Sequence, residues 1–285
     1  MSCYIHRSFQ LSAKHLEANM SPQMTDPDFS ELIDVRYMRR MSPLLLMGVY
    51  SAMKVITDTD DVASIISGTG LGCIKDTYTF LTKLVELDEQ GVTPTAFIQS
   101  THNTLAGTLG ILCKNHGYNI TWTQSYYTFY FALRDAIRQS KLEADKQHLL
   151  VAGDEMTDEV RQIIRQMPCG DNRIEWMPCS SAFLLSSAIK DDADWMIQDS
   201  HLLTVSQFEQ LNLKNFDCCI NANSFLQQLL PDNVIQFNLR SGTHFTLDGA
   251  ALAYGIEVAN AKEWNSFCVL GGDQRRVHFL TVSKA

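Results

Sequence analysis

Three segments of this sequence hold side chains whose type and spacing suit chemistry. The run Ser67-Gly68-Thr69-Gly70-Leu71-Gly72 follows an apolar stretch and precedes a helical pattern. In that arrangement backbone N–H groups at a helix N-terminus can cradle a phosphate. A dinucleotide fingerprint needs a third glycine where Cys73 stands, because helix and strand pack too closely there for a side chain. The run therefore reads as a tight strand-to-helix turn. Asp154 and Glu155 are adjacent carboxylates just after the apolar run Leu149 to Gly153. Strand ends of this kind often carry working groups in α/β proteins, and a helix N-terminus that favours negative charge accounts for the pair as well. His102, in Ser100-Thr101-His102-Asn103-Thr104, is a candidate general base without a nucleophile beside it in sequence; the same residues suit a helix cap.

The elements that must position these groups alternate between short apolar runs and helical patterns, as in an α/β protein. Strands are expected at Ser64 to Ser67, Ala96 to Gln99, Ile120 to Thr123, Leu149 to Ala152, Ala182 to Ser186, Cys218 to Ile220, Ile235 to Asn238, Phe267 to Leu270 and Val277 to Val282. Helices are expected at Arg39 to Ile56, Ile74 to Leu87, Thr104 to Asn115, Tyr126 to Ser140, Val205 to Leu211 and Gly249 to Asn260. Tyr126, Phe129, Tyr130, Leu133 and Ile137 recur at helical spacing and mark a buried stripe. Met20 to Ser30 reads as a surface loop, and Met167 to Cys179, with Pro168, Gly170 and Pro178, as a join between two halves.

Composition narrows the classes further. A chain of 285 residues with 45% hydrophobic and 19% charged residues can bury a large core. A net charge of −9 argues against nucleic acid, whose phosphates select clustered Lys and Arg. No stretch approaches the roughly 20 apolar residues of a membrane span, and no secretory pattern opens the chain, so a cytoplasmic location is expected. Cys3, Cys73, Cys113, Cys169, Cys179, Cys218, Cys219 and Cys268 form no CxxC pair. They read as buried, reduced thiols, with no metal expected.

Taken in order, these segments resemble the landmarks of the ketoacyl synthase family, and within it the chain-length-factor-like proteins of aryl polyene and flexirubin pathways. Ser67 to Gly72 is similar to the family's early glycine turn, and Pro94-Thr95-Ala96-Phe97-Ile98-Gln99-Ser100-Thr101-His102-Asn103-Thr104-Leu105-Ala106-Gly107 to that subgroup's most distinctive signature. Gly117 to Thr121 resembles the strand leading to the nucleophile, and Val151 to Glu155 the strand closing the first half. Phe216 to Asn223 resembles the strand ending in the first catalytic histidine, Arg240 to Ala251 the lysine and second-histidine region, and Asn265 to Asp273 the glycine-rich C-terminal turn.

The resemblance implies a thiolase-like α/β fold of two fused halves, residues 1–178 and 179–285, stacked as α-β-α-β-α layers. It also implies a degenerate site. Tyr126 stands at the position of the nucleophilic cysteine, Asn223 at the first histidine, Phe245 at the second, and Arg240 at the lysine. Without a thiolate to hold the acyl chain and histidines to stabilise the enolate, independent condensation is not expected. Ser125, His102 and His244 are the residual candidates. The implied role is a chain-length-factor-like subunit, needing no cofactor, that pairs with an active ketosynthase and meets acyl carrier protein indirectly. The tunnel and interface would draw on Phe97, Gln99, Asn103, Asn119, Thr121, Thr123, Phe129 and Tyr130, with Asn119 to Thr123 pairing across a two-fold axis. Two alternatives stay open: an independent acyltransferase or thioesterase using His102, His244 or Ser125, and a homodimeric scaffold.

Overall fold

The computed structural model describes residues 3–12, 27–57, 60–90, 92–166, 176–189, 193–231, 233–238 and 244–285. Two sets of five strands share one pattern. The first comprises β1 (Cys3–Ser12), β2 (Val62–Gly68), β3 (Tyr118–Trp122), β4 (Gln147–Asp154) and β5 (Cys179–Ser186). The second comprises β6 (Trp195–Thr204), β7 (Cys218–Asn221), β8 (Ile235–Gln236), β9 (Ser266–Gly272) and β10 (Arg276–Lys284). Their order is β3-β2-β4-β5-β1-β6-β10-β9-β7-β8, so the second set repeats the first in mirrored sequence. Three parallel strands, β3-β2-β4 and β8-β7-β9, lead in each set into two antiparallel ones, β5-β1 and β10-β6. The sets meet where β1 pairs β6 over Cys3–Ile197, Tyr4–Met196 and Ile5–Trp195.

The helices are α1 (Val35–Met38), α2 (Pro43–Val55), α3 (Ile74–Glu86), α4 (Pro94–Gln99), α5 (Thr104–Leu112), α6 (Thr128–Leu142), α7 (Asp158–Gln166), α8 (Val205–Phe208) and α9 (Leu247–Lys262). Among the described residues none is long and apolar enough to cross a membrane. Side chains alternate across each strand and so feed separate cores. Ile65, Leu149 and Val151 face α2 and α5 on the outside of the first sheet, while Ile66, Leu150 and Ala152 face α6 and α9 on its other side. The same central core takes Ile220, Phe267, Val269 and Leu280 from the second sheet, and Cys219, Cys268, Leu270, Val277 and Phe279 line the outer one with Phe208. The layers are therefore α-β-α-β-α. Helix α9 is sandwiched between sheets, which explains a surface of Ala250, Ala251, Ala253, Gly255 and Ala259 in place of a single apolar stripe.

Most expected elements are present, with one change of type and four additions. Ala96 to Gln99 is not a strand but lies in α4, because Thr93 caps Ala96 N–H through its hydroxyl and Pro94 opens the first turn. The sequence reading had no counterpart for β1, β6, α1 or α7. Strand β5 pairs with both β4 and β1, which groups it with the first set of strands. Most of the join expected at Met167 to Cys179, residues 167–175, lies outside the described residues, as does most of the loop expected at Met20 to Ser30.

Two glycines test the packing. A Cβ on Gly255 of α9 would lie 2.4 Å from Cε2 of buried Phe267 and 2.7 Å from Cδ1 of Ile220. Gly255→Ala is expected to destabilise the fold by about 1–3 kcal/mol despite its better helix propensity. Gly107→Ala on α5, where a Cβ meets nothing within 4 Å, is expected to stabilise by about 0.5–1 kcal/mol. Urea midpoints of the two variants should move in opposite directions.

Candidate functional site

The end of β4 organises the site. Asp154 Oδ1 accepts from the Gly70 N–H at 2.7 Å and the Thr69 hydroxyl at 3.1 Å. Its Oδ2 accepts from the Thr246 N–H at 3.0 Å and the Thr246 hydroxyl at 2.9 Å. One buried carboxylate thus joins the glycine turn after β2 to the entry of α9. Gly70 is required by close approach, since a Cβ there would lie 2.3 Å from Cβ of Phe245. Gly72, at φ 78°, adopts the left-handed conformation and donates its N–H to the Thr69 hydroxyl at 3.1 Å.

Glu155 does a second structural job. Its carboxylate accepts from the Leu44 N–H at 3.3 Å and the Lys75 N–H at 2.8 Å. These belong to the first turns of α2 and α3, and neither helix has a side-chain bond from its own N-cap residue. The carboxylate satisfies one orphan donor of each helix and complements both dipoles. Burial raises the Glu155 pKa above its ordinary value, against the lowering effect of those N–H groups. Burial also pushes the neighbouring Cys73 thiol up to about 12. Cys179, fully buried beside Asp154, is raised well above the ordinary thiol range for the same reason. Neither thiol is poised to act as a thiolate at neutral pH.

His244 packs against this clamp with a side chain that is 1% exposed. The Thr246 N–H donates to Nδ1 at 3.1 Å, which assigns the ring proton to Nε2. Asp154 Oδ2 lies 3.4 Å from Nδ1 and Cys179 Sγ also 3.4 Å from it. Nε2 is buried without a hydrogen-bond partner among the described residues. It borders a space of about 10 Å³ lined by Leu71, Met156, Val160, Ile164, Trp176 and Phe245, about the room for one water.

Aromatic rings fill the rest of the site. Tyr126 sits in the 3-10 turn Ser125–Tyr127 between β3 and α6. Its ring centroid lies 4.9 Å from Phe245, 5.8 Å from Phe225 and 6.2 Å from Trp176, and the last is 5.1 Å from Phe245. Ser125, exposed, holds φ at 51°, a left-handed value uncommon outside glycine and asparagine. Tyr127 donates to Asp273 Oδ1 at 2.5 Å; burial and that carboxylate raise its pKa.

The other expected site residues fall in several places. Asn223 is fully buried, donating to the carbonyls of Gly271 at 2.9 Å and Asp273 at 3.2 Å and accepting from the Phe225 N–H at 2.9 Å. Arg240 lies outside the described residues. His102 is exposed and packs on Gly72, where a Cβ would approach its ring to 2.8 Å. No hydrogen bond among the described residues joins His102, Ser125 and His244 to one another. Phe129 is buried in the central layer beside Phe183 and His278, and Tyr130 stands 5.2 Å from His278. Phe97 is 58% exposed. Gln99 donates to the Arg40 carbonyl, Asn103 accepts from Thr101, Asn119 donates to the Ala106 carbonyl and Thr121 bonds Ser67. Thr123 is half-buried just after β3. Sequence reasoning missed Trp176 and Phe225, which stand outside any helix and leave no periodic signal.

Residues 12–241 match the family model described as beta-ketoacyl synthase, N-terminal domain. The chain belongs to the beta-ketoacyl synthase family. Solved structures share its fold at low identity. "The ishigamide ketosynthase/chain length factor" aligns with TM-score 0.74 and 13% identity, covering 100% of this chain and 99% of that one. A ketosynthase (ApeO) in complex with its chain length factor (ApeC), from Xenorhabdus doucetiae, aligns with TM-score 0.63 and 14% identity, covering 99% of each chain. The type II PKS structure AntDE:AntF, described as an acyl-carrier protein in complex with its ketosynthase bound to the hexaketide, aligns with TM-score 0.78 and 12% identity, covering 100% of this chain and 99% of that one. No curated protein matches the sequence.

Two measurements check the carboxylates of this ketosynthase-fold chain. Asp154→Ala leaves the Gly70 and Thr246 donors unpaired in the interior and is expected to cost about 3 kcal/mol or more, read from urea unfolding. Glu155 has a folded pKa above its unfolded one, so the native state binds the extra proton. Its contribution is greatest below the unfolded value, near 4.5, and is lost as pH rises through the folded value. Glu155→Gln should therefore flatten the decline in stability from pH 4.5 upward relative to the parent chain.

Proposed function

We propose that this chain is a non-catalytic subunit of chain-length-factor type, supporting an active ketosynthase in elongating acyl chains on acyl carrier protein. The observation that carries the reading is Tyr126. It occupies the turn between β3 and α6, where the family resemblance puts the nucleophile, and it is closed in by Trp176, Phe225 and Phe245. A tyrosine hydroxyl, with an ordinary pKa of about 10, is a poor nucleophile at neutral pH. Four aromatic rings crowd the turn, and Asn223 spends its amide on the carbonyls of Gly271 and Asp273.

The outer edge of β3 supports a partner. Tyr118–Trp122 ends the sheet, pairs on one side with β2, and carries neither charge nor proline that would block addition of a strand. Nearby, α5 presents Ile111, 80% exposed, and α4 presents Phe97 and Ile98. Exposed apolar residues beside an open edge favour a protein interface. The neighbours described as a ketosynthase/chain length factor and as ApeO with ApeC favour a related but active ketosynthase as the occupant. Such a subunit needs no cofactor of its own and works in the cytoplasm.

Tagged chain purified from its native host should carry a cysteine-bearing ketosynthase at about one to one, and Ile111→Glu with Asn119→Lys should release it while circular dichroism stays unchanged. Purified alone, the chain should not condense malonyl and acyl thioesters. Recovery as a stable homodimer, or condensation by the chain alone, would refute the reading.

A further inference from the structure

A second constellation lies between β6, β10 and α9. His278 of β10 is fully buried, and its Nδ1 lies 2.6 Å from Oδ2 of Asp248, a residue that is itself 2% exposed. Its Nε2 lies 3.0 Å from Oγ of Ser200 on β6. Asp248 stands in the first turn of α9. An acceptor-only carboxylate accepts a hydrogen bond from Nδ1–H, so the ring proton stays on Nδ1 and Nε2 is left to accept from the serine hydroxyl. Buried acid, oriented imidazole and hydroxyl in that order form the arrangement that activates a serine nucleophile.

This differs from the contact between His148 and Ser64. His148 Nδ1 meets Ser64 Oγ at 2.8 Å, but its Nε2 meets the backbone carbonyl of Glu143 at 3.2 Å, with no carboxylate on the far nitrogen. Ser200 is half-buried, whereas Ser64 is 1% exposed. Strand β6 pairs with β1 only over Trp195 to Ile197 among the described residues, so the segment bearing Ser200 forms a sheet edge on that side. The ring of Tyr130 lies 5.2 Å from that of His278, and the exposed Arg134 donates to the Tyr130 hydroxyl at 3.2 Å.

The geometry points to Ser200, His278 and Asp248 as a serine hydrolase triad for short acyl esters or thioesters, a function separate from any role beside a ketosynthase. Ser200 Oγ bonds to the acyl carbon as its proton passes to His278 Nε2. The bond to the leaving alkoxide or thiolate then breaks, and that group takes the proton from Nε2. Water attacks the acyl-serine, giving its proton to Nε2, which returns it to Oγ as the carboxylic acid leaves. Asp248 orients the imidazole throughout and stabilises its cationic form.

The test treats the full chain with a fluorophosphonate probe and maps the modified residue by peptide mass spectrometry. Hydrolysis is followed in parallel with p-nitrophenyl acetate and S-acetyl-N-acetylcysteamine. Modification of Ser200, abolished in Ser200→Ala, with turnover falling about 100-fold or more in His278→Asn, is the expected result. Ser200-dependent turnover of only one substrate identifies an ester or a thioester hydrolase. A half-buried edge position lets Ser200→Ala keep the fold, checked by an unchanged urea midpoint. An unmodified Ser200, or hydrolysis that persists in Ser200→Ala, would overturn the assignment and leave the three residues a structural network.

Discussion

The carboxylate of Asp154 is the constraint on which the rest of the site depends. A buried ionised group is tolerated only when donors surround it, and here both oxygens are bonded by the Thr69–Gly70 turn and by Thr246. The first of these belongs to the first set of strands and the second opens the central helix of the second set. A single side chain therefore sets the distance between the two halves at the mouth of the site. With that distance held, Phe245 presses on Gly70, His244 turns Nδ1 toward the clamp, and Tyr126 meets Phe245.

Glu155, one residue on, extends the same logic outward by capping α2 and α3. The last residue of β4 and the one that follows it thus serve different elements. The pair of acids first suggests acid–base chemistry, yet every polar contact described for Asp154 and Glu155 is structural. What distinguishes a working carboxylate from a structural one is free access to a reacting proton, and these two are enclosed by backbone donors.

The repeat of five strands gives the two halves different exposures. In the first, β3 closes the order with an uncharged edge; in the second, β8 is only two residues long. Family membership follows from the matched residues 12–241, and the neighbours at 12–14% identity share the fold. The layers need only apolar alternation and small residues in α9, whereas condensation needs particular groups at particular atoms.

Much of the architecture was legible along the chain. Apolar alternation at Ser64 to Ser67 and Leu149 to Ala152, and helical spacing from Ile74 and from Tyr126, are local signals that backbone geometry turns directly into elements. The Thr93-Pro94 pair also carries a local signal, a cap followed by the first helical residue, and Ala96 to Gln99 obeys it despite its β-branched and aromatic content. Strands β1 and β6 were not legible, because their polar residues reflect sheet edges and long-range partners. Nor were the contacts of the sites. Trp176, Phe225 and Phe245 converge on Tyr126, and Ser200 and Asp248 on His278, from segments far apart in sequence. Residue types and spacing determined the class of fold. Only tertiary packing decided which polar groups were enclosed and which met each other, since that depends on distances no local pattern encodes.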